Sequence, residues 1–113
     1  TGGFPKKNVQ QLLKKLNIYL KNHSIQVYHY GDLDYGGIQI FEYIKRAFFK
    51  ELEPYMMDVS TYRQYVKYGM EFSEGYEGKL MKMLENERYS LWYELIKEML
   101  KEGRRVEQEV IVR

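Results

Sequence analysis

Two carboxylates separated by one residue lie in a glycine-rich turn, Gly31-Asp32-Leu33-Asp34-Tyr35-Gly36-Gly37. If the backbone is extended there, the side chains of Asp32 and Asp34 project to the same side. Their mutual repulsion is best relieved by a hard cation with oxygen ligands, and Mg²⁺, or Mn²⁺ in its place, fits that description. We therefore predict that Asp32 and Asp34 are metal ligands with a catalytic role.

The glycines of this turn suit a phosphate ligand. Gly31 allows a phosphate or a metal ion to approach closely, while Gly36 and Gly37 expose N–H groups at a helix start, which favours anions. A cation held beside a phosphodiester can stabilise charge on the transferring group. We therefore predict DNA contacts at Gly36 and Gly37.

Other interpretations of the turn remain open. Gly and Asp are common in plain turns, and one Asp could cap the following helix. A haloacid-dehalogenase phosphatase expects Thr or Val two residues after its second Asp, where this chain has Gly36. A glycosyltransferase metal motif normally belongs to a much larger domain, and a P-loop is excluded because no Gly-Lys-Ser/Thr occurs. His29 is either a catalytic neighbour or a buried strand histidine.

A second charged segment lies near the end of the chain, in Arg104-Arg105-Val106-Glu107-Gln108-Glu109. It is either a surface charge pattern or a contributor to the metal site. In the second interpretation Glu107 and Glu109 are supporting catalytic acids, and Arg104 and Arg105 contact DNA phosphates.

The first half of the chain alternates between helix and strand. Apolar spacing predicts a helix from after Pro5 to Asn22 and a second one from near Gly37 to before Pro54. Runs of β-formers predict strands at residues 25–30 and 55–58. Such alternation is typical of an α/β layered fold with a small parallel sheet flanked by helices.

The second half is predicted to be helical, with residues 1–58 as the core of a single domain and 59–113 as a helical extension. Ser60 or Thr61 would cap a helix reaching Tyr68, an acidic loop would span residues 71–78, and further helices would cover 79–86 and 89–101. Residues 106–112 are compatible with a strand or a last helix. The spacing of Tyr62, Tyr65 and Tyr68 suits base stacking, but a core or a subunit interface is the favoured interpretation.

Composition narrows the class of protein. The 113 residues suit one domain, and the absence of Cys excludes a disulfide scaffold, a zinc-thiolate site and a cysteine nucleophile. It also fits a reducing, cytoplasmic setting. The net charge of +2 neither demands nor forbids DNA. No apolar run approaches the roughly 20 residues that span a bilayer. Because the chain opens on Thr1 without Met, we expect upstream sequence to be missing.

The order of these segments resembles a known family. Thr1-Gly2-Gly3-Phe4-Pro5, a helix, and then residues 27–38 around the Asp-x-Asp resemble the Toprim domain of the topoisomerase VI A subunit, which the meiotic double-strand-break proteins share. The chain is more similar still to the carboxy-terminal family of the Wadjet protein JetD. That similarity lies in Tyr30-Gly31-Asp32-Leu33-Asp34 with Gly37, in Met57-Asp58 with Thr61, and in Val106-Glu107-Gln108-Glu109.

The resemblance implies metal-dependent cleavage of double-stranded DNA in an anti-plasmid defence system, with Asp32 and Asp34 as the metal pair. It implies a condensin-like partner complex, and a homodimer is also possible. Toprim domains carry a catalytic Glu at the end of their first strand, which would precede this chain. Alone, this chain is therefore expected to be inactive. None of its twelve Tyr can be assigned as a nucleophile, because in relatives that residue lies in another domain.

Two further hypotheses compete with the nuclease. One is a non-catalytic Toprim-like domain that binds DNA or a partner chain, for which an aromatic content of 16% provides interface material. The other is a small phosphohydrolase.

Overall fold

Helices and short strands alternate in the first half of the molecule. The computed structural model describes residues 5–111. It contains α1 (Lys7–Asn22), β1 (Tyr28–His29), α2 (Tyr35–Ala47) and β2 (Glu53–Pro54). β1 and β2 are parallel, with Tyr28 opposite Glu53. The predicted α/β class with a small parallel sheet is confirmed, in a fold rich in helix.

The strands are shorter than predicted. The first covers only two of the six residues at 25–30, and the prediction of a strand at 55–58 is wrong because β2 lies at 53–54. The Tyr55 N–H still donates to the His29 carbonyl at 2.8 Å. Met56 then adopts a left-handed φ of 52°, which turns the chain out of the extended conformation.

Aspartate caps determine where two helices begin. α2 starts at Tyr35, two residues before the predicted position, because Asp34 accepts a hydrogen bond from the Gly37 N–H. α3 (Val59–Tyr65) is capped by Asp58, whose Oδ1 accepts from the Thr61 N–H at 2.7 Å. The prediction that Ser60 or Thr61 caps this helix is therefore wrong. A 3₁₀ turn at Val66–Tyr68 continues α3 to Gly69.

The predicted loop at residues 71–78 is wrong in part. β3 (Met70–Glu71) pairs antiparallel with β4 (Arg104–Arg105), forming a second two-stranded sheet. α4 (Tyr76–Met83) begins inside the predicted loop, three residues before the helix predicted at 79–86. Tertiary pairing with β4 organises this segment, and local sequence gives no sign of it.

The last part of the chain is less regular than predicted. A 3₁₀ helix at Glu87–Trp92 precedes α5 (Tyr93–Glu102), which ends at Gly103 with φ 70°. Residues 106–112 form neither a strand nor an α-helix as far as they are described. Val106 makes a single bridge to Leu33, and Gln108–Val110 is a 3₁₀ turn. Val112 and the segment at residues 1–4 lie outside the described residues.

Aromatic side chains join the two halves of the molecule. Trp92, 1% exposed, packs edge-on against Phe41 with ring centroids 5.0 Å apart. Its Nε1–H donates to Glu42 Oε2 at 2.8 Å. Tyr62 and Tyr65 are buried, as the core interpretation predicts, whereas Tyr68 is 58% exposed.

One face of α1 is uncovered. Leu13 and Leu20 pack against the core, but the α1 stripe, defined as Val9, Leu12 and Leu16, is 40%, 63% and 42% exposed. The predicted bounds of α1 are confirmed. The described residues cover only part of the apolar face that its spacing predicts. None of the helices within residues 5–111 combines the length and apolar character that would let it cross a membrane.

Candidate metal centre

The turn at residues 31–37, called the acidic turn below, follows β1 and includes the first three residues of α2. It lies at the carboxyl end of a parallel strand, where open α/β sheets bind ligands. Its centre is fixed by Leu33, which is fully buried. The Leu33 N–H donates to the Val106 carbonyl at 2.8 Å, and the Val106 N–H donates back at 3.1 Å. This bridge brings the charged segment near the end of the chain against the acidic turn.

Asp32 is held through one of its two oxygens. Oδ1 accepts a hydrogen bond from the Gln108 N–H at 2.8 Å, a contact across 76 residues of sequence. Oδ2 makes no hydrogen bond or ion pair with any residue between 5 and 111. The carboxylate is thus oriented by the backbone while one oxygen keeps its capacity to bind.

Asp34 is also held through one oxygen, and its side chain is largely enclosed. Its Oδ1 accepts from the Gly37 N–H at 2.7 Å, and its side chain is only 13% exposed. Burial raises the pKa of the Asp34 carboxyl, and the negative charges of Asp32 and Glu107 add to that shift. The Gly37 N–H and Arg105 oppose it. A nearby cation stabilises most strongly a carboxylate whose ionised form is disfavoured by its surroundings.

Arg105 links the two acidic segments. Its Nη1 lies 3.9 Å from Asp34 Oδ2 and 3.7 Å from Glu107 Oε1. Both distances are too long for hydrogen bonds, so these are loose ion pairs. The structure therefore brings together Asp32, Asp34, Arg105 and Glu107.

Two other predicted site residues point elsewhere. Glu109 is exposed and lines a shallow cavity with Tyr30, Gln108 and Ile111. Arg104 donates from Nη1 to the Gly69 carbonyl at 2.9 Å, and its Nη2 lies 3.8 Å from Glu71 Oε1. Neither side chain contacts the acidic turn in the described part of the chain.

The two glycines after Asp34 are not equivalent. A Cβ added at Gly37 would lie 2.0 Å from the Asp32 carbonyl oxygen, so only glycine permits the close approach of α2 to the acidic turn. At Gly36 the nearest atom to such a Cβ is Asp34 Oδ1, at an ordinary 3.7 Å. The Gly37 N–H is already used by Asp34, which leaves Gly36 as the freer of the two predicted DNA contacts.

His29 lies beside the acidic turn and packs edge-on against Phe41, with ring centroids 5.7 Å apart. Burial lowers its pKa, so the neutral imidazole is favoured. The environment is that of a packed side chain at the end of β1.

Tyr76 is a neighbour of the site that the sequence interpretation missed. Its hydroxyl oxygen accepts a hydrogen bond from the Tyr35 N–H, at the start of α2, at 2.6 Å. Burial raises the Tyr76 pKa to about 12, and the charge of Asp34 contributes. The phenol is therefore protonated, and its proton has no acceptor among the described residues. The two tyrosines are 41 positions apart, and no sequence signal links them.

The donor set matches the chemistry of a hard cation. Mg²⁺ is commonly held by one or two carboxylates, with waters and substrate phosphates completing its shell. Asp32 and Asp34 provide two such carboxylates. Within residues 5–111, no group of three or more His, Cys, Asp or Glu side chains is arranged to hold a metal ion. Further ligands would have to come from solvent, substrate or residues beyond the described range.

Comparisons with known proteins agree with the resemblance at the level of the family. The family model described as "Wadjet protein JetD, C-terminal" matches residues 1–113. The Wadjet protein JetD of Bacillus cereus (strain Q1) is 86% identical over 113 residues. That alignment covers 100% of this chain and 28% of the relative, so the chain spans little more than a quarter of that protein's length. No solved structure matches the chain.

Proposed function

This chain belongs to the carboxy-terminal family of the Wadjet protein JetD, and we propose that it carries the metal-binding aspartates of a Toprim-type, Mg²⁺-dependent DNA endonuclease. The observation that supports this proposal is the pairing of Asp32 and Asp34 at the end of β1. Each carboxylate is oriented by a backbone N–H through one oxygen, and Asp32 Oδ2 is left without a partner among the described residues. Such preorganisation is what a cation site requires.

In the proposed mechanism Asp32 and Asp34 hold the cation. The bound cation would neutralise charge on the phosphodiester as the bond breaks. The Gln108 and Gly37 N–H groups keep both carboxylates in position. Tyr76, whose oxygen already accepts from Tyr35, offers its proton to an anion placed over the acidic turn. Arg105 moderates the negative charge of the turn before DNA arrives.

The proposal includes a strand that precedes this chain and ends in the catalytic Glu. Within the described residues β1 pairs only with β2, so its other edge is open. The α1 stripe is exposed on the helix that leads into β1. A helix before a parallel strand belongs to a crossover unit whose first strand it covers. A strand added beside β1 would complete the parallel sheet and cover the stripe.

The proposed partners follow from the family. They are double-stranded DNA, the other subunits of a condensin-like plasmid defence complex, and a second copy of the chain. Mn²⁺ is expected to replace Mg²⁺. The isolated chain is expected to be inactive, since the proposed Glu lies outside it. We place the protein in the cytoplasm, where plasmid DNA is found.

Plasmid cleavage by the full-length protein, assembled with its partner subunits, tests the proposal. Asp32→Ala is expected to abolish cleavage and to keep the fold, at a cost of about 1 kcal/mol in the free energy of unfolding, because among the described residues Asp32 is bound by one backbone N–H. Glu74→Ala, which removes an exposed loop carboxylate, is the matched control and should cleave normally. Wild-type cleavage by Asp32→Ala would refute the assignment.

The ion pairs of Arg105 support an alternative function, in which a non-catalytic domain binds DNA or a partner chain. Its guanidinium already faces Asp34 and Glu107, as in a structural ion-pair network. Titrating Mg²⁺ or Mn²⁺ separates the two functions. NMR line broadening confined to residues 31–37 supports the metal centre, and unchanged resonances there support the alternative.

A further inference from the structure

A second charged site lies at the opposite end of α2 from the acidic turn. A cavity of about 330 Å³ is lined by five residues, all of them charged: Glu42, Lys45, Arg46, Lys50 and Arg88. Four of the five are cations. The acidic turn and this cavity are therefore electrostatic opposites, joined by one helix.

Two of these residues are already engaged, and three are not. Glu42 accepts the Trp92 Nε1–H at 2.8 Å, and Lys45 Nζ donates to the Leu52 carbonyl at 2.8 Å. Arg46, Lys50 and Arg88 are exposed, and none of them has an ion pair with a residue in the described range. Three cations thus face the cavity without an ion pair, and the four cations outweigh the single Glu42 carboxylate that lines it with them.

Local sequence preference accounts for only part of this cluster. Lys45 and Arg46 occupy the last turn of α2, where the helix dipole favours cations. Arg88 comes from the separate 3₁₀ helix at Glu87–Trp92. The packing of Trp92 against Phe41 and its bond to Glu42 hold that segment against α2. Like charges gathered by tertiary packing repel one another until an anion binds between them.

We propose that this cavity binds a backbone phosphate of the DNA duplex that the acidic turn cleaves. This inference rests on the proposed nuclease function. From Tyr35 to Arg46 the helix rises about 17 Å. That distance corresponds to about five base pairs at roughly 3.4 Å each. Arg46 and Arg88 carry planar guanidinium groups, which bind phosphate oxygens in pairs. Binding of this phosphate positions the duplex, and the length of α2 determines how far from that phosphate the DNA is cleaved.

Salt-dependent binding of a short DNA duplex to the full-length protein tests this site. The test variant carries Arg46→Gln, Lys50→Gln and Arg88→Gln. The control variant removes the same charge elsewhere, through Lys67→Gln, Lys97→Gln and Lys101→Gln, which are exposed and do not line the cavity. Because each lost phosphate contact lowers the slope of log K against log salt by about 0.9, and the cavity is proposed to hold one phosphate, the test variant should lose roughly one unit of slope.

The expected result is at least a tenfold loss of DNA affinity in the test variant and a markedly smaller loss in the control. The variant Arg46→Lys with Arg88→Lys keeps the charge and should keep the salt slope. Equal losses in the test and control variants, or no loss in either, would overturn the inference. Preferential binding of polyglutamate at the cavity would overturn it as well, in favour of an acidic protein partner.

The two proposals fail in different ways. If Asp32→Ala lacks cleavage while the cavity variant binds DNA normally, the nuclease stands and the phosphate site is wrong. If the cavity variant loses DNA affinity while Asp32→Ala still cleaves, the phosphate site stands and the metal assignment is wrong.

Discussion

At the scale of single residues, Asp34 caps a helix and is proposed to bind a metal ion, and these two roles depend on different properties of its carboxylate. Its Oδ1 caps α2 through the Gly37 N–H, which requires only an acceptor oxygen. The proposed metal binding requires a negative charge. Asparagine retains the first property and lacks the second, so the two tasks can be separated experimentally.

We predict that Asp34→Asn keeps the wild-type stability and loses divalent cation binding. Asp34→Ala should lose both, with about 1 kcal/mol less free energy of unfolding because the cap is gone. Asp58→Ala is the matched control, since Asp58 caps α3 with the same 2.7 Å geometry away from the acidic turn. It should lose similar stability and keep its metal affinity. Calorimetric titration and chemical denaturation measure the two properties. Loss of metal affinity in Asp58→Ala would contradict this separation.

His29 is expected to affect how stability depends on pH. Burial lowers its pKa in the folded protein below the value of about 6.5 in the unfolded chain. The unfolded state then binds the proton more readily, so the contribution of His29 to stability is present above about pH 6.5 and is lost as the pH falls through that value. His29→Gln should therefore lose less free energy of unfolding than the wild type between about pH 7 and pH 5. Urea denaturation across this range measures it, with His23→Gln as the control. Identical pH dependence in the wild type and His29→Gln would contradict the prediction.

At the scale of elements, the close packing at the start of α2 brings Gly37 against the Asp32 backbone and the Asp34 carboxylate. Gly37→Ala would place a methyl group against the Asp32 carbonyl, so we predict a loss of about 1–3 kcal/mol of stability and a weaker metal site. Gly36→Ala, one position earlier, has ordinary space and should be unchanged or up to about 1 kcal/mol more stable. Thermal denaturation with and without Mg²⁺ compares them. Equal stability of the two variants would show that the contact does not constrain the turn.

Elements that depend on neighbouring residues were predictable, and those that depend on distant pairing were not. The apolar spacing of α1 and the acidic turn after β1 are local signals, and both lie where they were predicted. β3 exists only because it pairs with β4, more than thirty residues later. The approach of Gln108 to Asp32 and of Tyr76 to Tyr35 likewise depends on tertiary packing. The pair of aspartates and the capping of α2 by Asp34 were therefore visible in the sequence, while the Gln108 N–H that orients Asp32 and the Tyr76 hydroxyl at the start of α2 were not.

At the scale of the whole molecule, the uncovered face of α1 is the feature that the described residues do not explain. Leu12 and Ile18 are similarly exposed, at 63% and 62%, but they lie on different faces of the helix. At 100° per residue, Leu12 lies beside the face that packs on the core, and Ile18 lies opposite it. Only the first of these positions would be covered by a strand added next to β1.

We predict that Leu12→Glu lowers the stability of the full-length protein by about 2 kcal/mol or more, because it would bury a charge against the added strand. Ile18→Glu should change it by less than about 0.5 kcal/mol, as surface substitutions usually do. Denaturation of the two full-length variants makes the comparison. Equal effects would mean that the α1 stripe stays exposed in the longer protein.

The proposed function depends on a divalent cation that binds between Asp32 and Asp34. Electron paramagnetic resonance can count Mn²⁺ bound to the full-length protein before any DNA is added. We predict saturable binding in the wild type, a loss of at least tenfold in affinity in both Asp32→Asn and Asp34→Asn, and unchanged binding in Glu109→Gln, whose side chain makes no hydrogen bond or ion pair with the acidic turn in the described part of the chain. Mn²⁺ affinity that is the same in the wild type, Asp32→Asn and Asp34→Asn would contradict the account.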